Sequence, residues 1–347
     1  DVGVGVRRFS FKTKSTLLDQ QYSYTKVALY LTYVLPKKSQ RSRVERSWKL
    51  QYDFIGMTPQ FDVDRGDTLS GSLPFEKNRQ FVTLTYLKEN KRAINGYSLQ
   101  LMAEYGISNI LNVLADFDNP GYYDVDSIRK FFPYLKDDLT KNDMLKLSGV
   151  FEYDVDFGLK DKPLEIRLFG SYIAKSMGST TYDNNIGSNN KAGYYDYKME
   201  DVLMGRNATE GLFQNQISRN GNFSKFVGPI YSNQTWMATA NITMPLPGKL
   251  PLKPYVEFFV AEDLDQRTWA NGKSFLYNAG FEFEIVPDKF EIFFNLWQSQ
   301  EVTDFQDGTT SGLIYPFTIS SFAERITFVL DLQNLRPDKL KRSLNLF

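Results

Sequence analysis

The chain has 347 residues, 42% of them hydrophobic and 15% aromatic, with 28 Phe and 21 Tyr, enough for one large or two ordinary domains with a packed or lipid-facing surface. Its 41 Lys+Arg balance 41 Asp+Glu, which argues against a general nucleic-acid binder, since such proteins carry a basic excess. It has no Cys and no His, so a disulfide, a thiolate nucleophile, a Cys/His zinc site, a Ser–His–Asp triad and the H-E-x-x-H motif are all excluded within this chain.

The dominant signal is alternation with a period of two, which puts successive side chains on opposite faces of a strand. Taken in chain order it predicts twelve strands, at about 2–12, 21–35, 43–56, 77–88, 94–105, 144–157, 163–176, 233–246, 252–262, 274–286, 289–300 and 319–332. Trp48, Leu50, Tyr52 and Phe54 interleave with Lys49, Gln51 and Asp53; Phe275, Tyr277, Phe281, Phe283 and Ile285 interleave with Asn278, Glu282 and Glu284. Most of these segments exceed the ~5–6 residues usual for soluble proteins and suit the ~9–11 that a tilted strand needs to cross a bilayer. Asp1 leads almost directly into the first strand, so the N-terminus reads as a mature end or as the cut edge of a longer protein. No apolar run reaches the ~18–20 residues of a transmembrane helix.

The connections alternate in length. Short ones fall at Lys37–Ser42, Glu89–Ala93, Leu159–Lys162, Pro247–Pro251 and Pro287–Asp288; long ones at Met57–Glu76, Gly106–Asp143, Met177–Ser232, Asp263–Lys273 and Glu301–Thr318. All the short ones share a side with both chain ends. This is the asymmetry of outer-membrane barrels, whose periplasmic turns are short and extracellular loops long. The expectation is one domain, 1–347: a closed antiparallel transmembrane β-barrel of about twelve strands in a bacterial outer membrane, with 177–232 as a long extracellular loop region. Within the long connections, Asn109–Phe117 and Asp126–Leu135 carry helix-like apolar spacing, and Met199–Phe226 is expected to fold over the barrel mouth.

The two faces of the strands decide between a membrane barrel and a soluble β-sandwich. One face carries large aromatics; the other carries charges of both signs, including Lys49, Asp53, Glu104, Glu152, Arg167, Glu257, Glu282, Glu284, Arg325 and Asp331. In lipid every backbone group must be paired, which strands achieve only by closing. Tyr22, Tyr24, Trp48, Tyr105, Tyr172, Trp236, Phe275 and Trp297 lie near strand ends as candidate interface girdles. Tyr255, Phe259, Phe293 and Trp297 are read as bulky inward residues that fill the lumen. Phe281 and Phe283 should face lipid, and Glu282 and Glu284 the lumen.

Candidates for chemistry are few. The carboxylate pairs Glu282/Glu284 and Asp154/Asp156 read as polar lumen rather than as catalytic dyads, which need a substrate held between them. Asp62, Asp64 and Asp67, and likewise Asp263 and Asp265, read as solvated loop residues rather than as a cation site. Arg7, Arg8 and Lys12, with Lys37, Lys38, Arg41 and Arg43, and Lys339, Lys341 and Arg342 near the C-terminus, read as solvated turns, with anionic head groups as the alternative. No catalytic, cofactor-binding or metal residue is assigned and no cofactor is expected. The expected surroundings are outer-membrane lipids, lipopolysaccharide and other outer-membrane proteins, with no nucleic acid. The terminal Phe347 resembles the signal read by the barrel-insertion machinery.

The run Gly205-Arg206-Asn207, then Gly211-Leu212, Gln216 and Gly221-Asn222-Phe223, leads to Trp236-Met237-Ala238 and Met244-Pro245-Leu246-Pro247-Gly248-Lys249-Leu250-Pro251. With Glu324-Arg325-Ile326-Thr327-Phe328 and Asn334 to Pro337, this region, Met199–Phe347, resembles the C-terminal part of large M1-type (aminopeptidase N-like) metallopeptidases of Bacteroidetes. That family keeps its zinc site in an upstream domain, and with no His here no ligand carries over. The resemblance implies that this chain is the membrane-embedded part of such a protein, or of a relative that works in an outer-membrane assembly. It implies an anchor or docking component that is not itself an enzyme. The alternative is a small porin or transport channel.

Overall fold

The computed structural model describes residues 1–13, 19–37, 39, 41–64, 70–92, 94–113, 116–117, 142–159, 162–177, 198, 215–217, 225–226, 236–248, 251–261, 275–286, 289–306 and 325–331. Among these the fold is all-β. The strands are β1 (Val2–Thr13), β2 (Asp19–Val34), β3 (Val44–Asp64), β4 (Ser70–Asn90), β5 (Tyr97–Val113), β6 (Asp116–Phe117), β7 (Asn142–Val155), β8 (Leu164–Met177), β9 (Gln216–Ile217), β10 (Trp236–Thr243), β11 (Leu252–Ala261), β12 (Phe275–Val286), β13 (Phe290–Gln298) and β14 (Ile326–Leu330). One helix, α1 (Gln300–Gln306), follows β13.

All fourteen strands belong to one sheet, in the order β1-β2-β3-β4-β5-β7-β8-β10-β11-β12-β13-β14-β9, with β6 beside β4. Apart from the two-residue β6 and β9, the path is an up-and-down meander of the twelve long strands that alternation predicts. Every pairing is antiparallel except β14–β9, which is parallel. At the two ends of the path, β1 pairs only with β2, and β14 lies between β13 and β9; no β1–β14 ladder is present among the described residues.

Several sequence expectations need correction. Met57–Glu76 is not a long loop: β3 runs on to Asp64 and β4 begins at Ser70, each strand having 21 residues. Register holds across the prolines, stepping from Met57↔Lys77 to Gln60↔Pro74. Pro59 lacks an N–H, and with Pro74, Gly66 and Gly71 it gives the segment the composition of a turn, which hid the strand. The expected helix at Asn109–Phe117 is strand where it is described: β5 continues to Val113, and Asp116–Phe117 pairs with Gly71–Ser72 of β4. Asp126–Leu135 lies outside the described residues.

Two aromatics face the other way from expectation. Tyr24 is buried instead of lying in a girdle. Trp297, read both as a girdle residue and as an inward one, is 59% exposed, against the inward reading and compatible with the other. The cause is a bulge: Ala279 pairs with Trp297 but Gly280 pairs with Asn295, so β13 carries one extra residue, Leu296, and its alternation reverses beyond that point. Gly280 is required there. A Cβ on it would lie 1.9 Å from the carbonyl oxygen of Phe294, a backbone atom that cannot swing away.

Candidate functional site

The exposed face of the sheet is largely apolar, and its covered face mixes buried charges with buried apolar side chains such as Ile55, Phe81 and Leu276. Its exposed face carries Leu31, Trp48, Leu50, Tyr172, Phe275 and Phe283, with Leu31 51% and Phe275 49% exposed. Its covered face carries Asp53 and Glu257, both 0% exposed, with Lys26, Arg79, Glu104, Asn278 and Asn295 beside them. Period-two alternation delivers one such polar residue per turn of pleat, and equivalent positions on successive strands line up across the ladders.

Two charged clusters on this face are completed from the long connection between β8 and β10. In the first, Lys198 reaches Glu104 at 2.9 Å and Asp53 at 3.6 Å, and its ammonium donates to Thr83 Oγ1 at 3.0 Å. Lys26 on β2 pairs with Asp53 at 3.3 Å and donates to the Lys198 carbonyl at 2.8 Å, while Lys146 on β7 pairs with Glu104 at 3.5 Å. Strands β2 to β7 are thus tied to one residue of the connection.

The second cluster is centred on Lys225. Its ammonium pairs with Glu282 at 2.8 Å, donates to Thr243 Oγ1 at 3.2 Å, and lies 4.4 Å from the Tyr255 ring centre and 5.0 Å from that of Phe293. Its backbone N–H donates to both oxygens of Glu257, at 3.0 and 3.2 Å. Its carbonyl accepts from Asn295 Nδ2 at 3.2 Å and from the Thr327 hydroxyl. Glu257 also accepts from Asn241 at 2.8 Å and Asn278 at 2.9 Å, and Asn295 accepts from the Tyr255 hydroxyl at 2.7 Å. Burial alone would lower the Lys225 ammonium, but Glu282 and then Glu257 raise it above the ordinary lysine range, so it stays a cation.

The next residue, Phe226, is fully buried among Ile173, Met237, Phe259, Leu276 and Val302, with its ring edge-on to Phe259 at 5.3 Å between centres. Val302 comes from α1, so the helix covers the same cluster. Lys225–Phe226 is therefore an ionic and apolar anchor set side by side. Further along the chain, Gln216 and Ile217 pair with β14, and Ile217 packs with Tyr255, Phe293 and Val329. Among its described residues, the connection thus meets the sheet at three places: Lys198 and Lys225–Phe226 on the covered face, and Gln216–Ile217 beside β14.

The carboxylates singled out in the sequence are structural in placement. Glu282 meets Lys225, and Glu284 meets Lys253 at 3.3 Å, which also holds Glu165 at 3.2 Å. Glu282, Glu284 and Glu291 approach closely enough for a cation, but the two lysines already compensate the first two. Asp156 accepts from the Gly158 N–H at 3.0 Å and shapes the β7–β8 turn, and the Asp154 N–H donates to the Gly96 carbonyl. Nothing converges on the Asp154/Asp156 pair as a substrate site would. Asp62 and Asp64 lie on β3, opposite Ser72 and Ser70, not in a loop; Asp67, Asp263 and Asp265 lie outside the described residues. Arg8, Arg41 and Arg43 are exposed, and Lys37 pairs with Glu45 at 3.1 Å. Lys38, Lys339, Lys341, Arg342 and Phe347 fall outside the described residues.

Sequence reasoning missed Lys198 and Lys225. Neither belongs to an alternating run, and their partners are distant in sequence; the only local hint is the adjacent charge and ring of Lys225–Phe226. Neither protein-family models nor curated proteins give a match to this chain.

Proposed function

We propose that the chain is a closed outer-membrane β-barrel whose lumen is occupied by its own β8–β10 connection, and that it acts as an anchor or docking component of a larger outer-membrane protein or assembly. The observation that carries this reading is the apolar, aromatic exposed face of the sheet, set against charged residues buried on its covered face. Large apolar and aromatic side chains are exposed on most of the strands, whereas a soluble monomer keeps its contiguous apolar patches to a few hundred Å². In a bilayer the same face gains by contact with acyl chains, and the covered charges then face a lumen. Closure follows from the same medium: an open β1 edge, or the part of β14 that the two-residue β9 leaves uncovered, would have unpaired backbone groups in hydrocarbon, at several kcal/mol each. The lipids, lipopolysaccharide and neighbouring outer-membrane proteins are the partners this reading implies. Association with an M1-like peptidase domain outside this chain rests on the motif resemblance of Met199–Phe347 alone.

The role as an anchor rather than a channel is supported by the filling of the covered face by Lys198, Gln216–Ile217 and Lys225–Phe226. A barrel of twelve strands lies between the eight that side chains alone can fill and the sixteen or more that leave an aqueous pore. The test is twofold. The purified chain in detergent should migrate as a heat-modifiable folded band with a β-dominated circular dichroism spectrum. In planar bilayers it should give little or no stable current. A stable, open conductance would replace the anchor with a porin or transport channel, and the absence of a heat-modifiable band would end the barrel reading.

A further inference from the structure

We propose that the pocket holding the Lys225 side chain is a binding site for a primary alkylammonium ion, which Lys225 fills from within the chain and which a free primary amine of matching length can occupy in its place. Four strands converge on one ammonium: Thr243 from β10, Tyr255 from β11, Glu282 from β12 and Phe293 from β13. The set combines a carboxylate at 2.8 Å, a hydroxyl at 3.2 Å and two aromatic rings at 4.4 and 5.0 Å. Carboxylate and hydroxyl accept N–H donors, and the ring faces attract the remaining positive charge. Na⁺ would leave the ring faces poorly used and the volume of the alkyl stem empty. A tetraalkylammonium could use the rings but has no N–H to donate.

The contrast with the Lys198 cluster shows why this pocket takes a cation from outside the wall. Asp53 and Glu104 already have wall lysines, Lys26 and Lys146. Around Lys225 the nearest wall lysine, Lys253, is bonded to Glu165 and Glu284. Without the Lys225 ammonium, the direct side-chain partners of Glu257 are the neutral amides of Asn241 and Asn278, and Glu282 keeps only the more distant charge of Lys253. A buried carboxylate left unpaired is costly, so it is relieved either by taking up a proton or by a cation whose shape and N–H donors match the pocket. Because Lys225 is tethered, it competes at an effective concentration in roughly the mM range. A free amine therefore shows its binding most directly once that side chain is shortened.

The proposal rests on the lumen reading only for the route by which an amine arrives. In the full chain, Lys225→Ala removes the three outer methylene groups and the ammonium, which n-propylammonium replaces atom for atom. The folded band of this variant should melt lower than that of the unmodified chain. Millimolar n-propylammonium should raise the melting temperature saturably, by on the order of 2–4 °C, while equal NaCl or tetramethylammonium chloride should not. Adding Glu282→Gln should abolish the gain. If Lys225→Ala folds and no amine acts selectively, the proposal is overturned. If Lys225→Ala does not fold, Lys225→Met keeps the stem, and the ammonium ion is compared with Na⁺ on the same readout. Failure of both variants to gain folded band with amine also overturns it. Failure of the barrel reading shows separately, as loss of the heat-modifiable band in the unmodified chain.

Discussion

Glu282 and its neighbour Phe281 lie one residue apart on β12 but on opposite faces of the sheet. Glu282 is buried against Lys225, while Phe281 shares the outward parity of Phe275, Tyr277 and Phe283. Arg in place of a lipid-facing residue at the bilayer midplane costs about 2–4 kcal/mol, so Phe281→Arg should sharply lower the yield of folded band. From alternation alone a lumenal Glu282 would tolerate change. Its pairing with Lys225 reverses that expectation, because breaking a buried ion pair by removing one partner costs roughly 3–5 kcal/mol. Glu282→Gln should therefore destabilise despite its near-identical shape, and should do so more than Glu165→Gln, whose side chain is about half exposed beside Lys253. Equal denaturant midpoints for the two Gln variants would remove the cluster from the account of stability. Gly280 gives a prediction of a different kind. Gly280→Ala must push β13 away at Phe294, so it should destabilise, whereas Gly170→Ala, with nothing within 4 Å of the added Cβ, should not; thermal melts of both variants decide it.

At the scale of elements, the β3–β4 hairpin stands out. Its 21-residue strands would each extend roughly 70 Å at the usual rise, about twice what a tilted crossing of ~9–11 residues uses. The portion beyond Met57 and Lys77 should therefore project past the membrane on the side of the long connections. Shortening it symmetrically, by deleting 58–76 and joining the strands with a two-residue Asn-Gly turn, should leave heat-modifiable mobility intact. Loss of the folded band would mean that this part is needed to build the sheet. How far elements were legible in the sequence follows from the same residues. Trp48 to Phe54 and Phe275 to Ile285 announce their strands because the period of two is unbroken and both media are sampled. The distal hairpin was hidden by Pro59, Pro74 and the glycines. The bulge at Leu296 was hidden because an inserted residue changes parity without changing composition. The lysines of the candidate site were illegible for a third reason. Lys198 and Lys225 gain their meaning only from carboxylates on strands dozens of residues away, and no local pattern encodes that.

For the whole molecule, the two ends of the meander differ, and on the membrane reading that difference sets the expected direction of insertion. The ordered turns between β2 and β3, β4 and β5, β7 and β8, and β10 and β11 all lie at one end of the meander, together with Asp1, whose N-terminus donates to the Thr32 carbonyl at 2.8 Å. At this end the turns are braced by polar contacts: Lys91 with Glu45 at 2.7 Å, and Lys162 with the carbonyls of Leu246 and Gly248 at 3.0 and 2.6 Å. Outer-membrane barrels have short turns on the periplasmic side and longer loops outside, so this end is expected to face the periplasm. The chain has no Cys, so single substitutions give clean labels. With the barrel assembled in intact cells, Cys at Asn189 in the long connection should react with an impermeant maleimide, and Cys at Gly248 should react only after the outer membrane is broken. Gly248 suits the label because it sits at a turn with φ of 87°, away from both ladders, although the substitution itself will strain the turn; Cys at Ser39, in the β2–β3 turn, is an independent reporter of the same end. Labelling of Gly248→Cys and Ser39→Cys but not Asn189→Cys on intact cells would invert the topology. Labelling of all three would place the chain outside any sealed membrane and leave its exposed aromatic face to be explained by a protein partner.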